Sequence, residues 1–162
     1  MDTSRLSQGE KVVAVSSGLL VLFSFFPLWA KYEFGGATGR GSAWSEAFSF
    51  LSKLAILLAL TALVLVVLKA VGTNLELPVG TGLVYVGLGG LSTLLLLLML
   101  IQGPRDFGLS GVAAGYEVSR GPFLFAGLAL AAGVLVGGYL HMQGETAAPT
   151  PGGEQTPPPP AS

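Results

Sequence analysis

The chain has 162 residues, of which 51% are hydrophobic and 10% charged, against about 25% charged in ordinary soluble domains. Its net charge is -1, without the clustered Lys and Arg that nucleic acid requires. The lack of cysteine and the single histidine exclude disulfides, thiolate chemistry and multi-histidine metal sites.

A short polar segment, residues 1–11, leads into VVAVSSGLLVLFSFFPLWA, residues 12–30, a run of 19 residues without a charge. Arg5 and Lys11 flank it as in a signal peptide. The run is longer than a usual h-region, however, and Leu28 stands where a cut after Ala30 would need a small residue, so a retained anchor is expected. Pro27 lies inside this run and should bend or end the helix there.

The first loop, KYEFGGATGRGSAWSEAFS, carries four glycines and reads as a pliable connector. Trp29, Tyr32 and Trp44, with Phe34, are expected as interfacial anchors near one membrane surface. The second apolar segment, LAILLALTALVLVVL, is short between Lys53 and Lys69. Both lysines can snorkel, and AFSFLS extends the apolar surface, which predicts a helix over 46–71.

A short turn, AVGTNLELP, makes the second and third helices antiparallel neighbours. The third segment spans 79–101. Gly82, Gly87, Gly89 and Gly90 lighten its first half, and LLLLLML makes its second half bulky enough for lipid or a loosely specified core. The third loop, QGPRDFGLSGVAAGYEVSRG, is long enough to lie along the headgroups, with Arg105 and Arg120 as interfacial residues.

The fourth segment spans 122–140 and contains a GxxxG spacing, Gly133 to Gly137, with Gly127 and Ala131 one register earlier. These four are helix-packing candidates, either within the bundle or against another subunit. Pro78 and Pro122 fall at expected helix starts, where a missing backbone donor is harmless. His141 reads as a solvated helix-end residue, favourable near the negative end of the helix dipole, with no nucleophile or carboxylate beside it in sequence. Residues 143–162 are a Pro-rich tail without apolar periodicity, expected to be disordered and polyproline-like.

Four charge-free runs of this length have no face for water, so the expected fold is all-α: a polytopic membrane four-helix bundle over 12–142. An even number of spans puts both termini on one side. With the N-terminus inside, three basic residues lie inside and five outside, a charge count that weakly favours the reverse orientation.

Taken in order, LSQGEKVV, FSFFPLWA, the glycine-rich loop with Trp44, KAVGTNLELPV and RGPFLFAGLALAAGVLVGGYL resemble the small four-span membrane proteins of unknown function found in actinobacteria. The resemblance covers 6–140 and is carried mostly by Glu76-Leu77-Pro78-Val79 and Arg120-Gly121-Pro122-Phe123. It implies a plasma-membrane protein with cytoplasmic ends, and transfers no catalytic or ligand residue.

No acidic residue, arginine or histidine lies well inside a span, which argues against a pump or a charged-substrate transporter. The leading expectation is a non-enzymatic structural or accessory component of the cell envelope. It would need no cofactor, metal or nucleic acid, and its partners would be the bilayer and another membrane subunit or a second copy. The alternative is a small carrier or channel for an apolar or weakly polar solute, with a groove near Ser16, Ser24, Thr61, Tyr85 and Ser92. A lipid enzyme would need Arg105, Asp106, Glu117 and His141 at one surface. The expected topology separates the third loop from the C-terminus.

Overall fold

The computed structural model describes residues 6–45, 48, 50–73, 80–103 and 117–147, with the side chains of 145–147 excepted. It contains α1 (Gln8–Ser24), β1 (Ala30–Phe34), β2 (Ala37–Gly41), α2 (Phe50–Ala70), α3 (Thr81–Gln102), β3 (Glu117–Arg120) and α4 (Pro122–Ala147). Neighbouring helices run antiparallel around a square, α1 beside α2 and α4, and α3 beside α2 and α4. The expectation of an all-α chain is corrected by a three-stranded sheet at one end of the bundle, in the order β2-β1-β3.

Helix ends follow local chemistry. Ser7 caps α1, accepting the Glu10 N–H on Oγ while Glu10 Oε2 accepts the Ser7 N–H at 2.9 Å, a reciprocal capping box. At the other end the Phe25 and Phe26 N–H groups bond three residues back, to Leu22 and Phe23. This tightened turn precedes Pro27, whose predecessor is disfavoured in helical geometry. The first helix therefore stops at Ser24, not at residue 30, as the proline implied. α2 ends in a Schellman motif: Gly72 adopts φ 94°, its N–H bonds Lys69 O, and the Thr73 N–H bonds Leu68 O. α4 opens on Pro122 as expected, and it continues past residue 140 to Ala147.

The bundle's seams are built on glycine. A Cβ added to Gly9 would lie 2.5 Å from Gly137 O, one on Gly133 would lie 2.5 Å from Ser16 Oγ, and one on Gly127 would strike the Trp29 ring. The α3–α4 seam is just as close: Gly82 rests on Met142, Gly89 on the Leu135 backbone and Gly138 on Tyr85. At such separations dispersion between backbones accumulates. The run LLLLLML is divided by the helical period, with Leu95, Leu96 and Met99 buried while Leu94, Leu97 and Leu98 are exposed.

α2, α3 and α4 are long and apolar enough to cross a membrane. α1 has 17 residues, roughly 25 Å of helix. Beyond Gln8 and Lys11 its exposed residues are nevertheless apolar: Val12, Val15, Leu19 and Leu22.

The sheet arises where the sequence alternates. β1 pairs with β2 from Ala30 opposite Gly41 to Phe34 opposite Ala37, so only Gly35 and Gly36 remain to turn the chain. Both have positive φ, 53° and 87°, as a tight two-residue hairpin turn requires. The loop expected to be pliable is thus a paired hairpin. β3 adds to the free side of β1 and runs straight into α4.

Candidate functional site

Two polar constructions occupy opposite ends of the bundle. At the sheet end the interfacial candidates divide. Trp29 is fully enclosed by protein, its indole donating to Phe23 O at 2.6 Å and its ring filling the space that Gly127 leaves. It locks the sheet to the bundle and presents nothing to lipid. The Gly121 N–H bonds Trp29 O at 2.8 Å, and the Trp29 N–H bonds Gly41 O at 2.9 Å, fastening β1 to both neighbours.

Trp44 is partly buried, stacked on the exposed Phe25, and donates to Ser24 Oγ at 3.0 Å. Tyr32 is partly buried against Ser45, and Arg120 is exposed with Nε donating to Leu100 O. Arg105, Asp106 and Tyr116 lie outside the described residues.

The packing candidates Gly127, Ala131, Gly133 and Gly137 lie on α4. Ala131 is fully buried, and each of the three glycines faces α1 or the segment just after it. That glycine face is occupied within the chain, which closes it to another subunit.

The second construction joins three helices at the opposite end. Glu10 is fully buried on α1. Its Oε1 lies 2.5 Å from Lys69 Nζ on α2 and 3.5 Å from His141 Nε2 on α4. The other ring nitrogen, Nδ1, lies 2.8 Å from Ser7 Oγ. His141 is only 6% exposed, and its ring centroid is 6.0 Å from that of Tyr85 on α3.

The reading of His141 as a solvated helix-end residue is therefore corrected. α4 runs on beyond it, and Gly9 and Gly137 bring α1 close enough to enclose the imidazole. Glu10 precedes the charge-free run that opens at Val12. Burial pushes its carboxyl up, but Lys69, the Ser7 N–H and the nearby His141 oppose this and hold it below its ordinary value.

A cleft of about 460 Å³ opens beside this cluster, lined by Ser7, Gln8, Gly9, Leu140, His141 and Gly144. Sequence reasoning missed Ser7 and Glu10 as partners of His141, and Lys69 as the partner of Glu10. The Ser-x-x-Glu spacing was legible as a helix start, but a 134-residue separation hides its contact with the histidine.

The lipid-enzyme grouping fails on geometry. Glu117 is in the sheet at the start of α4, opposite Glu33, whereas His141 lies about 20 residues along that helix, roughly 30 Å away. Among the described residues no group of acidic, histidine or cysteine side chains could hold a metal. No protein-family model matches the chain, and no curated protein is significantly similar to it.

Proposed function

We propose that the chain is a four-span integral membrane protein of the plasma membrane, serving as a structural or accessory component of the cell envelope. α1 from Val12 onward is the first span, completed by Phe25 and Phe26 beyond its end. The termini share a side, which the resemblance to the actinobacterial four-span proteins implies is cytoplasmic.

The fate of the polar groups inside the bundle carries this reading. Ser17 donates to Val13 O, Ser24 to Val21 O, Thr93 to Gly89 O and Ser92 across the seam to Ala55 O. Ser16 closes on Gly133, and Tyr85 is fully buried. Thr61, on the exposed side of α2, donates to Leu57 O. The side chains that would line a solute groove thus cap carbonyls or fill glycine notches, which disfavours the carrier reading. Exposed apolar residues instead clothe the outside of all four helices, as lipid contact requires.

With the α4 glycines consumed internally, a partner would meet the apolar flanks or the sheet. Crosslinking in membranes followed by copurification in mild detergent tests the proposal. A reproducible neighbour is expected, and consistent isolation as a lone monomer would count against an accessory role.

A further inference from the structure

We propose that Ser7, His141 and Glu10 form an acyl-transfer site that takes carboxylic esters from the cleft at this end of the bundle. Ser7 is the nucleophile, His141 its base and Glu10 a positioning residue. The proposal stands apart from the accessory role above, and departs from the non-enzymatic expectation. That expectation rested in part on the absence of a catalytic constellation, with neither nucleophile nor carboxylate beside His141 in sequence, and folding supplies both.

Three observations converge. Ser7 Oγ lies 2.8 Å from His141 Nδ1, within reach for proton transfer. The opposite ring nitrogen faces a buried carboxylate, Glu10 Oε1, at 3.5 Å. At that distance the carboxylate acts through its charge, favouring the tautomer with the proton on Nε2, so that Nδ1 accepts from the serine, and stabilising the imidazolium that forms. Lys69, also on Oε1, keeps that carboxyl ionised, and among the described residues Tyr85 is a further titratable side chain beside the ring. Finally, Ser7 and His141 both line the same open cleft, so the pair is accessible to a substrate.

Ser7 Oγ attacks the ester carbonyl carbon as its proton passes to Nδ1. The backbone N–H groups of Gln8 and Gly9, in the first helical turn where no i−4 carbonyl is offered, can serve the oxyanion. The C–O bond of the ester breaks, and the alcohol departs with the proton from Nδ1. Water then attacks the acyl-Ser7 carbonyl and yields its proton to Nδ1. The carboxylic acid leaves as Ser7 Oγ recovers that proton, so no co-reactant beyond water is consumed. Leu140, Gly9 and Gly144 make part of the cleft wall apolar, which suits an aliphatic acyl chain presented at the membrane surface.

The full chain in detergent micelles is exposed to an alkyl fluorophosphonate and, separately, to p-nitrophenyl octanoate. The fluorophosphonate adduct should map to Ser7, and octanoate ester should be cleaved above the rate in empty micelles. Ser7→Asp retains an N-cap acceptor without a nucleophile, and should lose both signals while its thermal unfolding stays close to the parent's. His141→Gln should slow both by roughly 100-fold or more, the usual scale of general-base assistance. Glu10→Gln keeps the capping box and should lower kcat for the octanoate ester with KM little changed, because a neutral amide no longer stabilises the imidazolium formed on the way to the acyl-enzyme. A purely structural role for Glu10 would leave kcat of the folded variant in place.

Absence of the Ser7 adduct or of ester cleavage in the folded parent overturns the proposal. So does labelling that persists in Ser7→Asp or proceeds at the parental rate in His141→Gln. The adduct on the parent chain is decisive even if a variant fails to fold. None of these outcomes bears on whether the protein copurifies with a partner.

Discussion

Gly9 shows how much a single hydrogen can carry in this molecule. An added methyl would sit 2.5 Å from both Gly137 O and His141 N, and both are backbone atoms that cannot rotate away. Gly9→Ala should therefore part α1 from α4, lowering stability by about 1–3 kcal/mol and loosening the Ser7–His141 contact. Gly87→Ala, on α3 with nothing within 4 Å of the added methyl, is the matched control and should leave the protein as stable or slightly more so. Thermal unfolding of both variants in one detergent checks the pair. The GxxxG spacing marked α4 as a packing helix, but its partner was not legible. Gly9 lies in a polar stretch, and its role depends on meeting a helix more than 120 residues later.

At the scale of elements, α1 and the hairpin show where periodicity informs and where it falls short. Charge-free runs identified all four helices, and Pro27 marked where the first must end. Compositional reading of the glycine-rich loop found mobility, whereas alternation about Gly35-Gly36 produces a hairpin whose edge β3 then joins. Trp29 links the two levels: an aromatic residue at the end of an apolar run resembles an interfacial anchor, but here it is the peg between sheet and bundle. Trp29→Ala would empty that space and orphan Phe23 O and the surrounding Gly127, Leu20 and Phe48 surfaces. A loss of about 3–5 kcal/mol is expected, read as a fall in the unfolding midpoint. Phe34→Ala, on an exposed hairpin side chain, should have little effect by the same measurement.

For the whole molecule, the antiparallel square puts Gln8, Lys69, Gly82 and His141 at one end and the sheet at the other. Since the chain has no cysteine, single cysteines can be introduced without background. Gln8→Cys and Gln143→Cys should react with an impermeant maleimide from the same side of the membrane, and Thr38→Cys from the opposite side. Labelling of residues 8 and 143 from different sides would break the four-span reading.

The sequence by itself determined the number and rough limits of the helices, and that three of them are long and apolar enough to cross a membrane. Those follow from local properties: runs of uncharged side chains and prolines that lack a donor. Only the tertiary structure decided that α4 packs between α1 and α3, that the first loop and the residues before α4 form one sheet, and that Ser7, Glu10, Lys69 and His141 meet. These depend on which surfaces approach closely enough to exclude everything else. A glycine or a histidine reads the same in sequence whether its neighbour is lipid, water or another helix.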